Sequence, residues 1–221
     1  MNKERDILKI AESAVDSVSP YEMISKNVKL HGKSLMIGDG SERGRSFDLS
    51  RYAHIYVIGA GKATAPMARA LETILGKRIS RGAIAVKPGH TAELKTIRQI
   101  EGGHPVPNDG STKAAREILR IADGAEEADL VINIISGGGS ALLTLPHPGD
   151  PERGIPALTL EDMQSTTQEF LACGAPIQEI NCIRKHISAV KGGRLAEHLH
   201  PAASISLILS DVVGDDLQNI A

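Results

Sequence analysis

AHIYVIGAGKATAPMARALETIL, residues 53–75, reads as a strand, a glycine turn and a helix in direct succession. The opening run, Ala53–Gly59, is short and apolar, as a strand buried on both faces requires. Gly59 and Gly61 punctuate the turn, and Met67, Ala70, Leu71 and Ile74 then recur at helical spacing. Working outward, the alternation returns. AIAVK (Ala83–Lys87), TIRQIEGG (Thr96–Gly103), DLVINIIS (Asp129–Ser136) and SISLILSD (Ser204–Asp211) read as strands. Ser111–Ala122, Leu158–Gly174 and Pro176–Leu199 read as helices, with Ser111 the expected N-cap of the first. A helix is also expected at 4–18, with Ile7, Leu8, Ala11, Ala14, Val15 and Val18 at helical spacing. Glycine-punctuated alternation at 27–48 predicts a small hairpin or edge structure. Apolar strands alternating with helices predict an α/β fold, a mostly parallel sheet with helices on both faces.

Composition narrows the function classes. The 221 residues carry 25 Lys plus Arg against 27 Asp plus Glu, a net charge of −2, without the basic surplus of a nucleic-acid or anionic-membrane binder. There is no Trp, and two Phe and three Tyr are too few for stacking single-stranded bases. No apolar run approaches the ~18 residues of a membrane span, and the charged start MNKERDILKI lacks a signal-peptide core. A cytosolic location follows as an expectation, with no membrane partner. Cys173 and Cys182 form no CxxC pair and are expected to be buried free thiols.

Five segments carry candidate chemistry. GAGKA (Gly59–Ala63) lies at a strand-to-helix junction, where glycines allow close backbone approach and the helix offers unpaired N–H groups. It is not a Walker A loop, because Ala63 replaces Ser/Thr, and Thr64 takes the third glycine position of the dinucleotide fingerprint. A tight turn with a surface lysine is the plainer alternative. SGGGS (Ser136, Gly137, Gly138, Gly139, Ser140) follows the most apolar strand and predicts an anion nest of successive amides flanked by two hydroxyls. In NCIRKHISAVKGGRL (Asn181–Leu195), one helix would align Asn181, Arg184, Ser188 and Lys191 in a polar stripe, either a binding face or a solvated one. SDVVGDD (Ser210–Asp216) places Asp211 after a strand with Asp215 and Asp216 nearby, able to hold a divalent cation, orient a hydroxyl, or meet a helix dipole. GGHPVPNDGS (Gly102–Ser111) is a proline-stiffened loop carrying His104, which either contacts substrate or is structural.

Together and in this order, GAGKA, GGHPVPNDG, SGGGSALL, INCIRKHISAVKGGRLA and LILSDVVGDDLQNIA resemble the ATP-dependent glycerate 2-kinase family, also labelled hydroxypyruvate reductase. The resemblance runs from about residue 4 to the end. It implies that residues 1–221 are a large Rossmann-like N-terminal domain, followed in the family by a smaller C-terminal domain carrying a catalytic arginine. It further implies ATP and Mg²⁺, with phosphoryl transfer to D-glycerate giving 2-phosphoglycerate. Carried over, Lys62 would neutralise the transferring phosphoryl or the glycerate carboxylate, and Ser136–Ser140 would cradle an anion. Arg184 and Lys191 would add positive charge. Asp211 would assist the attacking hydroxyl, or bind Mg²⁺ with Asp215. Asn108 departs from the family, which commonly has Asp after the second proline. Two alternatives stay open, an NAD(P)H-dependent hydroxypyruvate reductase and a non-catalytic domain that binds a small anion or self-associates.

Overall fold

The apolar run after residue 53 becomes the middle strand of the larger sheet. The computed structural model describes residues 3–38, 44–210, 212 and 214, the side chain of Ile177 excepted. The chain opens with α1 (Lys3–Ser17) and α2 (Pro20–Asn27), then an antiparallel sheet of β1 (Val28–His31), β2 (Ser34–Ile37) and β3 (Arg45–Asp48). Five strands follow: β4 (Ile55–Ala60), β5 (Ile79–Val86), β6 (Ile97–Glu101), β7 (Leu130–Ser136) and β8 (Ala203–Leu209). They lie in the order β6-β5-β4-β7-β8, every neighbouring pair parallel. α3 (Thr64–Leu75) connects β4 to β5, and α4 (Asp109–Ala122) connects β6 to β7. Between β7 and β8 come α5 (Gly139–Leu142), α6 (Leu160–Cys173), α7 (Ile177–His186) and α8 (Arg194–Leu199).

Alternation along β4 sorts its side chains between two cores. Ile55 and Val57 join Met67 and Leu71 of α3, with Ile84, Ile132 and Ile134 beside them. Ile58 turns to the opposite face, against Ile118 and Ile121 of α4 and Val131. Both faces of the sheet are therefore covered, as the apolar strands predict. The small antiparallel sheet closes over the far side of α3, where Val28 and Leu35 complete the first core. The chain steps outward from β4 to β5 and β6, then returns across β4 to β7. That reversal leaves a crevice at the carboxyl ends of β4 and β7, the usual ligand position in open α/β sheets.

Three expectations need correction, and a fourth is met with its apolar residues exposed. The stretch 176–199 is not one helix but two, because residues 187–189 pair with 145–147: His147 N–H donates to Ile187 O at 3.0 Å and Ala189 N–H to Leu145 O at 2.9 Å. Ser111 is not the N-cap of α4; Asn108 is, and Ser111 is its reciprocal partner in a capping box. Both cysteines are exposed, since α6 buries Met163 and Thr167 but not its last residue, Cys173, and α7 buries Ile180 and Asn181 but not Cys182. The predicted first helix forms, yet α1 has no buried residue and its Ile7, Leu8 and Val15 face solvent.

Candidate active site

The two glycine loops meet at the crevice and are laced together. Ser136, buried at the end of β7, accepts the Ala63 N–H at 3.0 Å and lies 3.2 Å from the Thr64 hydroxyl. Lys62 N–H donates to Gly137 O at 2.9 Å. Gly61 has φ +147°, and a Cβ there would collide with Ser136 Oγ, so this close approach requires glycine. The lacing changes the role expected of GAGKA: the Lys62 and Ala63 amides bind the partner loop and are not offered to a ligand. The amides of Gly138, Gly139 and Ser140 make no hydrogen bond to another described backbone group. These are the amides from which the sequence expects an anion nest.

Side chains converge on that nest from several strand ends. A Cβ built on Gly138 (φ +83°) would stand 2.9 Å from Lys62 Cε and 3.1 Å from His104 Nε2. Lys62 leaves β4 and is exposed; His104, half-buried, comes from the loop after β6. Burial lowers the His104 pKa below 6.5, and the charges of Lys62, Lys87 and Arg184 lower it further. The imidazole is therefore neutral at neutral pH, one nitrogen donating and one accepting. Lys87, the first residue after β5, completes the cationic rim. Sequence reasoning passed over it, although its place directly after a buried strand was a usable signal. Thr64 was missed as well.

Arg184 and Lys191 come together, but not along a helix. Arg184 is on α7, and burial pulls its guanidinium below the usual pKa. Lys191 lies beyond the helix end, only 6% exposed, its Nζ donating to Leu143 O at 2.6 Å. Burial, reinforced by Arg184, pushes its pKa from 10.5 down to about 7. Ser188, expected in the same stripe, instead turns its hydroxyl to the Val190 N–H at 3.2 Å. Ser140, Thr144, Met163, Arg184 and Lys191 line a small cavity roofed by Pro105 and Pro107, and the Ser140 hydroxyl is buried there without a partner. Lys62, His104, Ser136–Ser140, Arg184 and Lys191 thus share one region. Asp211 and Asp215 lie outside the described residues. Among the described residues no three His, Cys, Asp or Glu side chains converge; the described rim gathers cations, which suit an anion.

With that geometry in view, similarity to known proteins is informative. The family described as a domain of unknown function, DUF4147, matches residues 6–221. The chain is 42% identical over 214 residues to a protein of Pyrococcus horikoshii named glycerate 2-kinase, covering 97% of this chain and 44% of that one. It is 45% identical over 165 residues to an Agrobacterium vitis protein whose name assigns it provisionally to hydroxypyruvate reductase, covering 75% and 41%. The crystal structure of a Thermotoga maritima glycerate kinase superposes with a TM-score of 0.74 at 34% identity, over 97% of this chain and 45% of that one. The chain spans less than half the length of each of these relatives.

Proposed function

The chain belongs to the DUF4147 family, and from that premise we propose that it is the large Rossmann-like N-terminal domain of a two-domain glycerate 2-kinase. The reaction moves the γ-phosphoryl of ATP to a hydroxyl of D-glycerate, giving 2-phosphoglycerate. The observation that carries this reading is the laced pair of glycine loops at the β4/β7 crevice, with Lys62 and His104 against Gly138. Kinase names among the relatives support it.

Phosphoryl transfer asks a protein mainly to position groups and neutralise charge. In this reading the Gly138–Ser140 amides cradle phosphate oxygens, and Lys62 and Lys87 offset charge on the transferring group. Neutral His104 sits where it can hydrogen-bond the attacking hydroxyl or a phosphate oxygen. Arg184 and Lys191 supply the charge that orients the acceptor. Mg²⁺ would neutralise phosphate charge, held by Asp211 and Asp215, which follow β8 in sequence. A cytosolic location is part of the proposal; near-neutral charge and the lack of any described helix long and apolar enough to cross a membrane support it.

The test uses the full-length protein with ATP and D-glycerate. ADP should form, and Lys62→Ala should lower kcat at least about a hundredfold, roughly 2.7 kcal/mol of barrier. A loss under threefold removes Lys62 from the mechanism. NADH oxidation by hydroxypyruvate at a catalytic rate, with no ADP from glycerate, overturns the kinase in favour of the reductase.

A further inference from the structure

Residues 87–96 carry the chain from β5 to its parallel neighbour β6 without a helix. Crossovers between parallel strands usually contain one, which satisfies its own backbone. Here side chains hold the segment at three places. Glu72 of α3 accepts the N–H groups of Lys95, Thr96 and Ile97 at 2.8, 2.7 and 2.9 Å. Gln99 accepts the Ala92 N–H at 2.9 Å and donates back to Ala92 O at 2.7 Å. These two anchors fix the tail and the middle. The third, Glu101, fixes the head: its Oε1 accepts the Gly89 N–H at 3.1 Å.

The head is where the segment meets the crevice. Lys87, Pro88, Gly89 and His90 form a turn closed by the His90 N–H on Lys87 O at 2.9 Å. Pro88 in second place and Gly89, at φ +76°, in third match a type II turn. On the other side of the lysine, the Gly102 N–H donates to Val86 O at 2.9 Å. Residues 101 and 102 thus grip the backbone on both sides of Lys87, and two positions further on comes His104, whose imidazole feels the Lys87 charge. The lysine needs that grip. It is half-buried, Lys62 and Arg184 bring like charge to the same imidazole, and no carboxylate pairs with it among the described residues. Like charges on long stems separate unless the backbone beneath them is fixed.

We propose that Glu101 is a positioning residue: through the Gly89 amide it fixes the turn that presents Lys87 to the crevice, so that one side chain at the end of β6 couples the lysine after β5 to the histidine after β6. This rests on the kinase reading for what Lys87 offsets, whereas the coupling of Lys87 to His104 is a property of the protein alone. The role belongs to the acceptor oxygen and not to the carboxylate charge. The charges that move the His104 titration are those of Lys62, Lys87 and Arg184. Glu101→Gln keeps an acceptor at the same place and should preserve the turn, while Glu101→Ala releases it.

The experiment follows the His104 imidazole by NMR titration in the full-length protein, its signal assigned by its loss in His104→Asn. Lys87→Met removes a repelling cation and should raise the His104 pKa. Glu101→Ala should raise it in the same direction and lower kcat at least about threefold, while Glu101→Gln matches the unmodified protein in both. The double variant of Glu101→Ala with Lys87→Met should titrate no differently from Lys87→Met alone, because the glutamate acts through the lysine. Pro88→Gly loosens the same turn and should also raise the pKa; it carries the test if Glu101→Ala does not fold. An unmoved titration in Lys87→Met or Glu101→Ala, an equal shift in Glu101→Gln, or a double variant that sums the two shifts overturns the role. The kinase reading fails separately. Titrations as expected, without ADP formation from ATP and D-glycerate, retain Glu101 and defeat the kinase. ADP formation with an unmoved titration does the reverse.

Discussion

Gly138 sets how closely Lys62 and His104 approach one another. Its φ of +83° disfavours any side chain, and a Cβ would press on Lys62 Cε at 2.9 Å and His104 Cδ2 at 3.0 Å. Both neighbours are side-chain atoms, so the protein yields at the site before it yields in the fold. Gly138→Ala should therefore cost about 1 kcal/mol of stability from backbone strain and lower kcat/KM at least about tenfold by displacing the lysine. Urea unfolding and steady-state kinetics of the full-length protein check the two parts separately. Full activity in a variant destabilised by that amount would make Gly138 a turn residue only. At this scale the sequence was informative where chemistry and turn coincide, since three glycines between hydroxyls at a strand end have few structural uses. It placed Lys191 in a polar stripe but was silent on its burial, which depends on Leu143, Arg184 and Pro105, residues up to 86 positions away.

Elements were legible in proportion to how far local pattern settles them. The strands of a doubly covered sheet are apolar throughout, and the helices between them carry their own periodicity, so β4–β8 and α3, α4 and α6 emerge with small boundary shifts. The break between α7 and α8 did not. Its cause is tertiary: the 145–147 segment takes the backbone bonds that would have continued the helix, and only Gly192 and Gly193, at φ +65° and +93°, mark it in the sequence. The cap of α4 is a nearer miss with a functional edge. Asn108 Oδ1 accepts N–H groups from Ser111 at 3.1 Å and Gly103 at 2.9 Å, tying the helix to the loop that carries His104. Asn108→Ala should cost about 1 kcal/mol and raise the glycerate KM as the loop loosens. Asn108→Asp should preserve both bonds and add a favourable charge at the helix N-terminus, so stability stays equal or rises by a few tenths of a kcal/mol. Chemical unfolding of the two variants, run beside the glycerate KM, decides whether this residue is a cap alone or also a loop anchor.

For the molecule as a whole, a net charge of −2 conceals a strongly uneven distribution: Lys62, Lys87, Arg184 and Lys191 gather around one crevice edge, alongside the neutral imidazole of His104. Such a cluster is unfavourable for folding and favourable for holding anions, and Lys191 lets the two effects be measured against each other. Its pKa falls from 10.5 when exposed to about 7 in the fold, mainly through burial and then through Arg184; among the described residues the other groups facing it, Ser140 and the Leu143 carbonyl, are uncharged. Below pH 7 the lysine is charged in both the folded and the unfolded chain, so the penalty for enclosing that charge is felt in full. As pH rises from 7 towards 10.5 the folded chain releases the proton first, and stability gains up to about 1.4 kcal/mol per pH unit from this group. Lys191→Met removes the penalty at every pH. The variant should therefore be more stable than the unmodified protein by about 1–4 kcal/mol near pH 6, with the gap narrowing as pH rises from 7 towards 10.5. Addition of glycerate at low pH should stabilise the unmodified protein and not the variant, because the bound carboxylate supplies the missing counter-charge. Paired unfolding curves across this pH range provide the check. A gap that stays constant with pH would mean that Lys191 keeps an ordinary ammonium pKa, and that its enclosure carries no charge penalty for a ligand to relieve.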